Sequence, residues 1–246
     1  MRDEGEPARA ISHLKGVDAR LKLLCEKHSY SPPGAVPCYF GALAKTIIFQ
    51  QLHGTAAASI HAKFLDALKS RVNPDSVLAT SDANLRSCGL SERKVAYLKS
   101  LADKFKGGLD DAKLEAMSDE DLEETLLSVK GLGPWSVDMF KLFSLGRSDV
   151  LPTGDFGIRK GMMLTYDLKS LPKPSVMKDI ASDWKPYSSV GSWLMYRVAD
   201  EAPASKAKKG KKGKTAAKKD VCVTKKDEKN EKEIKNEKKV KQKKSC

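Results

Sequence analysis

The chain has 246 residues, 40% hydrophobic and 31% charged, with a formal net charge of +13, enough for one large folded unit or two small ones. The charge is lopsided: residues 202–246 hold 18 lysines against 6 acidic residues, a net of +12, which leaves only +1 for residues 1–201. The five cysteines form no C-x-x-C pair and no zinc-like or cluster-like spacing, and no apolar run reaches membrane-spanning length, so metal-cluster and membrane-embedded classes are excluded.

Helical periodicity dominates from the start. Residues 8–28 predict one or two helices with Ile11, Leu14, Leu21 and Leu24 on an inner face, followed by a connector stiffened by Pro32, Pro33 and Pro37. The stretch from Ala42 to Ser70 predicts one long helix, or two with a break near His53-Gly54. Short helices then alternate with caps: Asn73-Pro74 and Ser81 are start signals and Gly89 a stop. Ser91 opens a helix with Val95, Leu98, Leu101 and Ala102 at spacings of three and four. Ser118 with Asp121 approximates a capping box ahead of Leu122, Leu126 and Val129. Further helices are expected around 157–166, 173–183 and 188–200. Residues 1–201 therefore read as all-α, and 202–246 as a disordered Lys-rich tail with too few large apolar residues to offset chain entropy. KAKKGKKGKTAAKK in that tail suits a nuclear import signal, a loose nucleic-acid contact or a plain solubilising role. With an odd cysteine number and a start unlike a signal peptide, the expected setting is a reducing compartment.

Two features carry chemistry. In LLSVKGLGPWSV, Gly131 and Gly133 flank Leu132 between two helical patterns, and Pro134 fits the first turn of the second helix. Glycines let the backbone approach a partner closely, and a helix start offers outward N–H groups to an anion. A bland glycine-capped turn between helices has the same pattern. Asp155 follows, set between Gly154 and Gly157; alone, it reads as a helix cap or half of an ion pair as readily as a catalyst.

The order of these features resembles a family. VKGLGPWSVDMF followed by DVLPTGDFGIRKG is similar to the helix-hairpin-helix and aspartate loop of the DNA glycosylase superfamily, within it to the 3-methyladenine DNA glycosylase II group. The resemblance extends to TIIFQQLHGTAAASI, GLSERKVAYLKSLA and WKPYSSVGSWLMYR, over roughly residues 10–200. It implies an all-α helix-hairpin-helix fold of two helical lobes with the active-site cleft between them. One lobe would span about 42–160, the other 8–41 plus 165–200.

The resemblance also implies roles. Gly131, Leu132, Gly133 and Trp135 would form the hairpin that grips a DNA phosphate, and the main-chain carbonyls of Leu127, Val129 and Leu132 would hold a structural Na+ or K+. Asp155 would be the catalytic carboxylate beside the sugar of an extruded nucleotide. Gln51, Leu52 and His53 match the minor-groove wedge, and Trp135, Met139 and Tyr196 the base pocket. Met139 stands where bacterial relatives have a tyrosine and Tyr196 where they have a tryptophan. Bifunctional members carry a nucleophilic lysine two residues after the second hairpin glycine, where this chain has Trp135; no lyase activity is expected. The four-cysteine iron–sulfur motif of another branch is missing, and no cofactor is required. The expected activity is excision of alkylated purines from double-stranded DNA, by a monomer in the nucleus with no membrane association. The rivals are a catalytically silent DNA-binding module and a glycosylase for a different damaged base.

Overall fold

The computed structural model describes residues 5–202 apart from 35, 37 and 53; the expected tail and the wedge candidate His53 lie outside the described residues. Among the described residues thirteen α-helices follow in order: α1 (Glu6–Val17), α2 (Ala19–Lys27), α3 (Tyr39–Phe49), α4 (Gly54–Ala67), α5 (Pro74–Ala79), α6 (Asp82–Ser87), α7 (Glu92–Lys106), α8 (Asp111–Ala116), α9 (Asp119–Leu127), α10 (Pro134–Phe140), α11 (Phe156–Thr165), α12 (Pro174–Ile180) and α13 (Ser188–Glu201). A π-helical turn, Lys141–Leu145, extends α10, and a 3-10 turn covers Ser182–Trp184. Among the described residues there is no strand.

The expected caps are in place, each satisfying an amide that a helix start leaves without a partner. Asn73 accepts from the amide of Ser76, Ser81 from Asn84, Ser91 from Lys94 and Ser118 from Asp121. Ser118 also donates its hydroxyl to the Asp121 carboxylate at 2.8 Å, a side-chain bond in place of the reciprocal bond to the Ser118 amide that a full capping box has. The long 42–70 pattern divides into α3 and α4 at the predicted break. Helix α8, opened by Asp110, was not foreseen; six residues are too few for a periodic signal.

The apolar residues gather into two clusters. The first joins α3 to α9 around Leu43, Ile47, Phe64, Leu85, Leu98 and Leu122. The second joins α1, α2, α11, α12 and α13 around Leu14, Leu21, Ile158, Trp184 and Leu194. Helix α10 serves both: Val137 and Phe140 face the first cluster, Met139 the second. Packing therefore changes sides earlier than the expected boundary near 160, since Leu142, Val150 and Ile158 already belong with the N-terminal helices.

Helices α11 and α13 lie in close contact. A Cβ on Gly161 would sit 2.0 Å from the carbonyl oxygen of Met195, so only glycine permits this approach. The loop between α10 and α11 is latched onto the start of α13. The amide of Val150 donates to Ser189 Oγ at 3.0 Å, and the Ser192 hydroxyl donates to the Val150 carbonyl at 2.9 Å. Asp155, at the end of that loop, is thereby held beside the second cluster, next to Trp135, Ile158 and Tyr196.

Candidate active site

Helix α10 begins at the hairpin. Gly131 has φ +89, a region that L side chains avoid, and a Cβ there would fall 2.2 Å from the Tyr97 ring of α7. Gly133 is extended (φ −120, ψ 174), and a Cβ on it would meet open space. Leu132 between them is buried in the first cluster and anchors the turn. Its amide donates to the Val129 carbonyl at 3.1 Å, so the hairpin N–H of Leu132 is turned inward.

Asp155 caps α11: its Oδ1 accepts from the amide of Ile158 at 3.0 Å. The other oxygen, Oδ2, accepts from the indole Nε1 of Trp135 at 2.7 Å. The acid is only 1% exposed, so both functional features of the sequence meet inside the protein. The two N–H donors fix the carboxylate's plane. Bland and catalytic readings are compatible here, because one oxygen caps the helix while the other meets the hairpin helix.

Tyr196 closes over this loop. A Cβ on Gly157 would lie 2.8 Å from its ring, and its hydroxyl donates to Met139 Sδ at 3.5 Å. Burial, and then the neighbouring charge of Asp155, push the Tyr196 phenol above its ordinary range, so it stays protonated. Trp135, Met139 and Tyr196 are thus brought together around Asp155, with Met139 and Tyr196 themselves buried. A cleft of about 310 Å³ lies elsewhere, between the start of α1, Pro32, Pro33 and Tyr187, and shares none of the predicted site residues.

A second acid stands nearby. Asp138, one turn after Trp135 on α10, has its carboxyl pushed up to about 6, chiefly by burial and further by Glu123 and Asp155, with Lys141 opposing. Lys160, one turn into α11, donates to the Ala199 carbonyl at 2.9 Å and is committed to the end of α13.

The wedge candidates Gln51 and Leu52 sit on the turn joining α3 to α4, with Gln51 at φ 57. The sequence pointed past the residue that ties this turn down. Gln50 Nε2 donates to the Gly131 carbonyl at 2.7 Å and to Ser136 Oγ at 3.3 Å. Lys94 Nζ of α7 donates to the carbonyls of Ile48 at 2.6 Å and Gln50 at 2.8 Å. Neither contact has a local sequence signal, since each joins segments more than forty residues apart.

The expected cation ligands fall at the end of α9 and in the hairpin. Leu127 is the last residue of α9, where a helix leaves carbonyls without amide partners; the Val129 carbonyl already accepts from Leu132 but keeps a second lone pair. Neutral carbonyl oxygens of this kind suit a hard monovalent ion. Among the described residues no group of His, Cys, Asp and Glu could hold a metal ion.

The profile of the HhH-GPD superfamily of base excision DNA repair proteins matches residues 44–186. A DNA-3-methyladenine glycosylase 1 of Schizosaccharomyces pombe is 30% identical over 211 residues, 83% of this chain and 92% of the relative. A DNA-3-methyladenine glycosylase of Saccharomyces cerevisiae is 33% identical over 207 residues, 68% of this chain and 69% of the relative. Among solved structures, a Schizosaccharomyces pombe 3-methyladenine DNA glycosylase in complex with abasic DNA superposes with a TM-score of 0.73 at 29% identity. The match covers 80% of this chain and all of that one. The family model spans more than half of the chain and the Schizosaccharomyces pombe relative most of it: the protein belongs to the helix-hairpin-helix superfamily of base excision DNA repair proteins.

Proposed function

We infer that this chain is a monofunctional DNA N-glycosylase that removes alkylated purines, of the 3-methyladenine and 7-methylguanine type, by base flipping and hydrolysis of the N-glycosidic bond. The observation that carries the reading is the Trp135–Asp155 bond at 2.7 Å, which joins the DNA-gripping hairpin to a buried, oriented carboxylate. Ordinary glycoside hydrolysis needs one acid for the leaving group and a second carboxylate as base or nucleophile. A purine alkylated at N3 or N7 already carries positive charge and departs without protonation. What remains is to stabilise the oxocarbenium-like sugar and guide water to C1′, and one preorganised carboxylate in a sheltered site does both.

The target nucleotide must leave the stack. Gln51 and Leu52 take the wedge role, with His53 beside them in sequence, and Trp135, Met139 and Tyr196 line the base pocket, where a cationic base gains from electron-rich rings. The phosphate grip falls on the backbone around Gly131, Gly133 and Trp135, because the Leu132 amide is engaged by Val129. A Na+ or K+ on the carbonyls of Leu127, Val129 and Leu132 would add positive charge beside that grip. The position that carries a nucleophilic lysine in bifunctional members is Trp135, and Lys160 is tied to Ala199, so strand cleavage is not part of the reaction. The substrate is double-stranded DNA, and the protein works as a monomer. No described helix is long and apolar enough to cross a membrane; the Lys-rich tail, which suits an import signal, supports a nuclear setting.

The test is to incubate the protein with duplex DNA treated with a methylating agent and identify the released bases. Release of 3-methyladenine or 7-methylguanine is expected. Release only from duplexes carrying deaminated or mismatched bases would move the assignment to a different lesion, and binding without any release would make the chain a silent DNA-binding module.

A further inference from the structure

The turn that carries the wedge candidates has a conformation its own sequence does not favour. Gln50 sits at φ −54, ψ 131, Gln51 at φ 57, and the Leu52 amide donates to the Phe49 carbonyl at 3.4 Å. This is the pattern of a type II turn, whose third position takes positive φ and favours glycine. Here it is glutamine. Such a conformation persists only where the surroundings over-determine it.

Contacts from the turn to α7 and to the hairpin do so. The Lys94 ammonium sits on the last carbonyls of α3, bonding Ile48 and Gln50 at 2.6 and 2.8 Å, where a cation is favoured by the helix dipole. Gln50 reaches the other way, to the Gly131 carbonyl and Ser136 Oγ. Tyr97, three residues after Lys94 on the same face of α7, packs its ring on Gly131 so tightly that no Cβ would fit. Helix α7 thus touches the wedge turn with one side chain and the hairpin with another, and Gln50 closes the triangle. Ser136 is the immediate neighbour of Trp135, so the network continues to the Asp155 carboxylate.

We propose that Lys94 and Gln50 are positioning residues for base extrusion: they brace the wedge turn against the phosphate-gripping hairpin. The proposal rests on the glycosylase reading above. Pushing a side chain into a base stack meets resistance, and a wedge on an unsupported turn would deflect instead of displacing the base. Bracing refers the wedge to the hairpin, which is held on the DNA backbone. Lys94 acts here as a structural cation with two of its three donors spent on carbonyls, not as a phosphate contact.

The experiment compares Lys94→Met and Gln50→Met with the unmodified full-length chain in single-turnover release of 7-methylguanine. One duplex pairs the lesion with cytosine; in the other the lesion faces an abasic site, where extrusion needs little work. Both variants are expected to lose at least about tenfold on the paired lesion and to stay within about threefold on the unpaired one. Lys94→Arg, which keeps the charge, should recover part of the loss. The salt dependence of duplex binding should be unchanged, whereas loss of a phosphate contact would lower its slope by about one. Equal losses on both duplexes, no loss on either, or a reduced salt slope for Lys94→Met would each overturn the proposal. If Lys94→Met fails to fold, Gln50→Met decides, because its turn lies at the edge of the first cluster. An unmodified protein that releases nothing from either duplex would refute the glycosylase reading itself.

Discussion

Trp135→Phe is the sharpest probe of how the carboxylate is held. Phenylalanine keeps an aromatic ring against the second cluster but removes the Nε1 donor, leaving Asp155 Oδ2 without its 2.7 Å bond in a site where the acid is 1% exposed. A hydrogen bond to a charged group contributes about 1.5–3 kcal/mol. If the carboxylate must hold that orientation in the transition state, excision slows by about tenfold to about a hundredfold. The same loss should appear in stability, lowering the Tm by about 3–12 °C for a domain of this size. The Ile158 amide still holds Oδ1, so the acid stays near its place and activity is reduced, not abolished. The assay is single-turnover release of 7-methylguanine, paired with binding to an undamaged duplex, which should not change. Release within about threefold of the unmodified rate, with an unchanged Tm, would show that the indole bond neither orients nor stabilises the carboxylate.

The two hairpin glycines should separate cleanly. Gly131→Ala forces a Cβ into the Tyr97 ring at positive φ and should cost about 2–4 kcal/mol by thermal unfolding. Gly133→Ala meets open space and should leave the Tm nearly unchanged while weakening duplex binding, because the added methyl intrudes where a phosphate approaches; unaltered affinity would contradict the grip. Asp138 titrates near 6 in the folded protein, above its ordinary value of 3.8. Between those two values the folded state holds the proton more firmly than the unfolded chain, so this group makes stability fall as pH rises through roughly 4 to 6. Asp138→Asn should therefore stabilise the protein above pH ~6 and have little effect below pH ~4, as chemical denaturation across that range would show. Deleting residues 202–246, which carry a net +12, should weaken non-specific DNA binding and flatten its salt dependence while single-turnover excision is kept. An unchanged salt slope would count against a DNA contact by the tail.

Much of this architecture is legible in the sequence because its signals are local. Asn73, Ser81, Ser91 and Ser118 announce their helices since a cap bonds an amide only two or three residues away. The hairpin and Asp155 are visible for the same reason, as short runs of glycine, proline and one acid. What stays hidden depends on distance along the chain. Nothing near Lys94 says that its ammonium ends on α3, 44 and 46 residues away, and nothing near Gln50 points to Gly131, 81 residues on. Met139 and Tyr196 show the intermediate case. The family resemblance names them for the base pocket, and both are buried, but how Tyr196 comes to lie over the Asp155 loop depends on the close approach of α11 and α13 at Gly161. The early change of sides at α10 was hidden too, because Val137, Met139 and Phe140 form one apolar run in sequence and divide between two clusters only in space.

The central claim is that Asp155 performs the hydrolysis, and the most direct test compares intact protein with Asp155→Asn. Asparagine caps a helix about as well as aspartate, and its single oxygen can accept from Ile158, so the fold of α11 should survive with a modest loss of stability. On methylated duplex DNA the intact protein should release 3-methyladenine or 7-methylguanine and leave the strands uncut until alkali is added. The variant should bind the same DNA and lose at least about a hundredfold in release, because it has no negative charge to set against the oxocarbenium-like sugar. Release by Asp155→Asn at a rate near that of the intact protein would contradict the account and move the chemistry away from this carboxylate.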